Sequence, residues 1–277
     1  MDNNFTLYHE RSVGFGASFS TVLCLVDYCA DRNIKAFFDI RNVGYSDISE
    51  NTWDLVFDQP FLNEKPSEVI SSDFPFPELT DFGKNYWKLN YDSREREKFC
   101  DHKFISHYRN LCKKYINVKK NILDTVESYL SPYKDKKILG VHKRNKDHLT
   151  TGHARNQEHL LTFEHIFSTI DNVIDDYDYL FLTSDEYNNY EEFDKKYKDK
   201  LIIYDNKSKY KDVKSDLNYI SQKEQDKKNL LINLIIEILI LSKSNKIFLM
   251  NSNVSHMSLF FSDCNDYHFY DNHLVYS

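Results

Sequence analysis

None of the glycine signatures of the common nucleotide-binding and ester-cleaving folds occurs in the 277 residues: there is no GxGxxG, no GxxxxGK[ST] and no GxSxG. Their absence argues against a dinucleotide-dependent dehydrogenase, a P-loop NTPase and a nucleophile-elbow hydrolase. Cysteine is sparse and has no pairing pattern. Cys24, Cys29, Cys100, Cys112 and Cys264 are odd in number and include no CxxC pair, so neither a disulfide framework nor a zinc ribbon is expected. A reducing compartment suits them. No apolar run approaches the roughly 20 residues that cross a bilayer. The longest, residues 230–241, is interrupted by Asn233 and Glu237 and has the length of a buried core helix. Residues 1–10 lack the charged-then-apolar layout of a signal peptide, so a cytoplasmic protein with no transmembrane segment is expected. There is also no excess of basic charge. The net charge is −7 and the lysines are scattered among aspartates, which leaves no electrostatic footprint for a nucleic-acid partner.

What the chain does have is the composition of a globular protein, 41% hydrophobic and 29% charged, enough for one large or two medium domains. After the loop Val13-Gly14-Phe15-Gly16, apolar residues recur at helical spacing over 18–30, and a strand pattern covers 34–40. This opens an α/β domain. Four of the five prolines (Pro60, Pro66, Pro75, Pro77) fall in 60–77, which predicts an irregular loop of the kind that shapes an acceptor surface. Two helical patterns, near 107–116 and 118–130, end at Ser131-Pro132. The break at 131–136 marks the expected domain boundary, giving 1–133 and 134–277. Beyond it, strands at 138–142, 179–183, 201–204 and 246–250 alternate with helices at 158–173, 187–197, 227–242 and 254–262. Such alternation predicts a parallel sheet with helices on both faces.

The chemistry gathers at the ends of these strands. The apolar run at 138–141 breaks into His142-Lys143-Arg144-Asn145-Lys146-Asp147-His148, a buried strand emptying into imidazole, guanidinium and carboxylate groups. A second strand ends in Thr183-Ser184-Asp185, and the last in Asn251-Ser252-Asn253. In a doubly wound sheet such ends lie side by side, where α/β proteins bind ligands. A helix starting after Ser252-Asn253 aims backbone N–H groups at that crevice, a site for phosphate oxygens, and Arg144 adds a bidentate cation. Polar residues also end strands simply because they reach solvent, but three at once favour a site. Within the apolar helix, Asn233 and Glu237 lie four apart on one face, and a carboxylate among isoleucines needs a donor, from a structural network or from a ligand. Five histidines (His142, His148, His153, His159, His165) fall within 24 residues, but none is spaced i, i+4 on a helix and no cysteine is near. No metal site is expected.

These motifs, in this order, resemble those of the GDP-fucose-dependent fucosyltransferases, the superfamily of the α1,6-fucosyltransferases, the rhizobial nodulation fucosyltransferase and the protein O-fucosyltransferases. The family's His-x-Arg-Arg-x-Asp motif after a strand is similar to His142-Lys143-Arg144-Asn145-Lys146-Asp147. Its strand ending in Thr-Asp-Asp is similar to 180–185, and its acidic helix, Leu-Ser, strand and Ser-Asn to the stretch from Glu237 through Leu241-Ser242 to Ser252-Asn253-Val254-Ser255. Gly14-Phe15-Gly16 and its helix resemble the family's opening loop; residues 45–130 have no counterpart.

The resemblance implies an α/β fold of GT-B type, two Rossmann-like domains facing a central cleft, with 1–133 on the acceptor side and 134–277 binding the nucleotide sugar. It implies an inverting, metal-independent glycosyltransferase with a nucleotide-sugar donor, a GDP-sugar, and a glycan acceptor as its partners. In that likeness Arg144 neutralises the departing diphosphate, and His142 and Glu237 hold the nucleoside. Asp185, Ser252 and Asn253 fix ribose and phosphates, with Thr183 and Ser255 completing the nucleotide set. Gly14, Phe15 and Gly16 close over the phosphates from the other domain. The loop Thr150-Thr151-Gly152-His153 lies where the family keeps its general base, which makes His153 the candidate, with Asp147 and Glu158 behind it. Asn145, Ser184 and Glu237 stand where the family has arginine, aspartate and aspartate. Another donor on the same scaffold, a UDP-pentose such as UDP-xylose or a GDP-hexose, and a non-catalytic nucleotide- or glycan-binding module are the alternatives.

Overall fold

A computed structural model describes residues 4–11, 14–42, 44–47, 49–71, 102–144, 162–184, 187–204, 224–250 and 252–270. The chain forms two compact units, Met1–Asp124 with Asn218–Ile235, and Thr125–Leu217 with Ile236–Ser277. The division falls nearer the N-terminus than the break at Ser131-Pro132. That break makes only a single 3-10 turn, Ser131–Tyr133, at the end of a helix.

In the first unit, strand β1 (Asn4–Arg11) pairs in parallel with β2 (Lys35–Asn42) along its whole length, from Asn4↔Lys35 to Arg11↔Asn42. The connecting helix α1 (Phe15–Asp31) buries Phe15, Phe19, Val22, Leu23 and Val26. It begins three residues earlier than the spacing predicts, so Phe15 and Gly16 belong to its first turn rather than to a loop. The anchoring force is the Phe15 ring, which needs burial and draws the first turn onto the core. That core is aromatic: Trp53 lies 4.5 Å from Phe57, 6.1 Å from Phe19 and 6.4 Å from Phe38 between ring centroids. Strand β3 (Val69–Ser71) adds to the other edge of β1 through Thr6↔Val69, Leu7↔Ile70 and Tyr8↔Ser71. The proline-rich stretch is therefore not irregular throughout. Pro66 accepts a hydrogen bond from the Thr6 hydroxyl at 2.9 Å through its carbonyl, which feeds the chain into β3. Helix α2 (His102–Tyr115) follows, beginning five residues before the predicted 107–116, and then α3 (Lys120–Leu130), within which the leading segment of the first unit ends. α2 sets His107 Nε2 3.0 Å from the buried Asp27 Oδ1 of α1.

The second unit carries five parallel strands, β4 (Ile138–Lys143), β5 (Tyr179–Ser184), β6 (Leu201–Ile202), β7 (Lys246–Leu249) and β8 (Tyr267–Phe269), in the order β6-β5-β4-β7-β8. Every residue of the central β4 is buried. One face of the sheet, with Leu139, Val141, Leu180, Leu182 and Phe248, packs on Ile166 and Ile170 of α4 (Phe163–Asp171) and on Tyr190, Phe193 and Tyr197 of α5 (Tyr187–Tyr197). The opposite face meets helix α6 (Glu224–Ser242), whose approach is so close that a Cβ at Gly140 would lie 2.7 Å from Leu241 Cδ1 and 2.5 Å from Ser244 Oγ. Helices on both faces are what the alternation predicts. α7 (Asn253–Phe261) connects β7 to β8. Among the described residues no helix is long and apolar enough to cross a membrane.

Candidate functional site

The sheet order places the ends of β5, β4 and β7 side by side, with the order reversing between β4 and β7. A reversal of this kind opens the crevice outside the carboxyl ends of parallel strands.

His142 is 4% exposed and lies opposite Thr183 in the β4–β5 register. Side chains alternate along a strand, so His142 and Thr183 share the face that Gly140 turns toward α6. This is why Thr183 reaches α6: its hydroxyl donates to Glu237 Oε2 at 2.7 Å. Glu237 is 4% exposed, and burial pushes its carboxyl up to about 7, with the Thr183 hydroxyl pulling the other way.

His142 Nδ1 is 2.7 Å from the Ser255 hydroxyl, one turn into α7. Ser252 caps that helix in an extended conformation, accepting from the Ser255 N–H at 3.2 Å. Ser255 is fully buried and donates its own proton to the Met250 carbonyl. Its hydroxyl is engaged inside the protein by the Met250 carbonyl, the Ser252 hydroxyl and His142 Nδ1. Ser252 and the half-buried Asn253 stand at the N-terminus of α7, where backbone N–H groups lack intrahelical acceptors. Asn251 lies outside the described residues.

Arg144 follows β4 directly. Its N–H meets Met250 Sδ at 3.1 Å, and its carbonyl accepts from the buried Lys143 ammonium at 3.0 Å. Lys143 also sits 5.7 Å over the Phe163 ring. The end of β5 is held in a comparable way. Ser184 N–H donates to the Tyr190 hydroxyl at 2.9 Å, that hydroxyl donates to the Ser184 carbonyl at 2.9 Å, and Asn189 Nδ2 reaches Ser184 Oγ at 2.7 Å. Sequence reasoning missed Met250, Asn189 and Tyr190 and the clamping role of Lys143, because neither spacing nor residue type distinguishes a backbone clamp from an ordinary side chain.

Asp147, His153, Glu158 and Asp185 lie outside the described residues. Gly14, Phe15 and Gly16 belong to the first unit. Gly14 is exposed, and a Cβ there would meet nothing within 4 Å. The Phe15 ring is 1% exposed, edge-on to Tyr45 at 6.0 Å and stacked with Phe57 at 6.3 Å, while its N–H donates to the Tyr45 hydroxyl at 3.4 Å. As a core side chain it presents no ring surface to a ligand. Among the described residues no group of three or more His, Cys, Asp or Glu gathers as a metal site would require.

No protein-family model matches the sequence, and no curated protein matches it. Solved structures do match in shape. The structure of the NodZ α1,6-fucosyltransferase soaked with GDP-fucose aligns at a TM-score of 0.56 and 12% identity over 94% of this chain and 93% of that one. The selenomethionine form of the fucosyltransferase NodZ from Bradyrhizobium aligns at 0.57 and 14%, over 94% and 92%. POFUT1 in complex with GDP aligns at 0.53 and 10%, over 98% and 99%. At such identities the likeness is one of architecture: this chain has the α/β fold, of GT-B type, of the fucosyltransferases NodZ and POFUT1.

Proposed function

We propose that the protein is a glycosyltransferase that moves a sugar, L-fucose from GDP-fucose, to a glycan acceptor with inversion and without a metal ion. The observation that carries this reading is the gathering, at three adjacent strand ends, of His142 and Arg144, the Thr183–Glu237 pair and the Ser252-capped start of α7. The fold it shares with structures holding GDP and GDP-fucose supports it.

In an inverting transfer the acceptor hydroxyl attacks the anomeric carbon as the bond to the diphosphate breaks. Negative charge grows on the leaving phosphate oxygens while the hydroxyl proton passes to a base. Arg144 supplies the cation for that charge, and the α7 N-terminus with Ser252 and Asn253 supplies oriented N–H donors. His142 and Glu237 hold the nucleoside, with Thr183 orienting the Glu237 carboxyl. Asp185 holds the ribose, and His153 takes the acceptor proton, with Asp147 the next candidate for that role. A cytoplasmic setting belongs to the same reading, supported by the odd number of cysteines and the lack of a CxxC pair in the sequence.

Calorimetric titration with GDP, UDP and ADP, with and without magnesium, tests it. GDP is expected to bind selectively and independently of magnesium, and Arg144→Ala to weaken GDP binding about 10- to 100-fold, the factor equivalent to a charged hydrogen bond of about 1.5–3 kcal/mol. Preference for UDP would replace the donor, and no binding of any nucleotide would overturn the reading.

A further inference from the structure

Around Ser255 the accounting of protons is complete. A serine hydroxyl has one proton to donate and two lone pairs to receive with. The Met250 carbonyl can only accept, so the Ser255 proton is committed to it. The Ser252 hydroxyl, which accepts from the Ser255 N–H, donates onward to Ser255 Oγ at 3.2 Å. One lone pair of Ser255 Oγ remains, and it faces His142 Nδ1 at 2.7 Å. A hydrogen bond there requires the imidazole nitrogen to carry the proton, because the hydroxyl has none left.

From this geometry we infer that Ser255 is a positioning residue that locks His142 in its Nδ1–H tautomer. The neutral ring then offers Nε2 as a hydrogen-bond acceptor, since the partner of one ring nitrogen decides the role of the other. Whatever group meets Nε2, from the protein or from a ligand, must be a donor. Applied to the nucleotide site proposed above, on which this second half rests, the lock selects an N–H of the base or a hydroxyl of the ribose at His142. Phosphate oxygens, which only accept, are turned away from it and left to Arg144 and the α7 N-terminus. A single buried serine thus divides the strand-end site into a nucleoside side and a phosphate side.

The tautomer is measurable without any ligand. Full-length protein labelled with 15N-histidine is recorded by long-range 1H–15N correlation at mildly alkaline pH, with the His142 signals identified by their loss in His142→Gln. A protonated Nδ1 and an unprotonated Nε2 are expected; an Nε2–H tautomer would overturn the lock. Ser255→Ala should release the ring into a mixture and weaken GDP binding about tenfold, whereas Ser255→Thr, which keeps the hydroxyl, should keep the parent tautomer. A pure Nδ1–H form persisting in Ser255→Ala would show that Ser255 is not the cause. On adding GDP, Nε2 should shift yet stay unprotonated; conversion of the ring to imidazolium would mean that a phosphate sits there and would refute the division of the site. If GDP neither binds nor moves any histidine signal, the proposed function falls and the ligand half with it, while the tautomer found in the free protein still decides the lock.

Discussion

Glu237 shows how a single residue can be out of place in a sequence and at home in a structure. Its carboxyl lies among the isoleucines and leucines of α6 with the Thr183 hydroxyl donating to it. Burial raises its pKa from an ordinary 4.5 to about 7, so the folded protein holds a proton there that the unfolded chain has released. The sign follows from linkage: stability contributed by the protonated form is present in full below pH 4.5 and is lost as pH rises through about 7. The loss is on the order of 3 kcal/mol at about 1.4 kcal/mol per pKa unit. Glu237→Gln removes the titration and keeps an acceptor for Thr183. Urea unfolding should show its stability falling less steeply than the parent's over that pH window and lying above the parent's at pH 8, and an unchanged pH slope would remove Glu237 from the account. The anomaly was legible in sequence as a carboxylate on an apolar helix. Its partner was not, because Thr183 is 54 residues away and only the β4–β5 register and the approach of α6 bring the two together.

At the scale of elements, strand β4 owes its position to a missing side chain. Gly140 leaves room for Leu241 and Ser244, and a methyl group there would overlap both, including the Ser244 Cβ at 2.9 Å. Overpacking of this kind typically costs about 1–3 kcal/mol. Gly140→Ala should therefore lower the thermal midpoint by several degrees and, by displacing His142 two residues on, weaken nucleotide binding as well. A variant with the parent's midpoint would mean that α6 yields without cost. β4 and β5 were recognisable because burial on both faces of a parallel strand writes itself as continuous hydrophobicity, and α6 because a helix buried on most sides does the same over a longer run. β1 was not, since this central strand buries Thr6 and His9 beside Leu7 and so resembles a polar leader. β8 escaped for a different reason, being three residues long at a sheet edge. The edge of β2 is managed by side chains that no strand pattern reveals. Asn51 bonds Ile40 N–H at 2.9 Å and Phe38 C=O at 2.7 Å, and Gln59 bonds Phe38 N–H at 2.8 Å, amide groups standing in for a further strand.

At the scale of the whole molecule, each compact unit has a parallel sheet of its own, and the described nucleotide-site candidates other than the Gly14–Gly16 turn belong to the second. Their legibility was uneven for a physical reason. Residues that close a strand in charge, such as His142 and Arg144, interrupt an apolar run and show in one dimension, whereas residues that orient them act through hydroxyl protons and a sulfur and show only in three. If the proposed nucleotide seats across the ends of β5, β4 and β7, its binding free energy must appear as resistance of that sheet to opening. At 100 times the dissociation constant the gain is about 2.7 kcal/mol, or about 100-fold slower exchange for amides released only when the sheet unfolds. Hydrogen exchange at Val141, Leu182 and Phe248, one residue from each of the three strands, should slow by about that factor when GDP is present. Bound GDP that leaves these three amides exchanging at the parent rate would place the nucleotide elsewhere on the molecule.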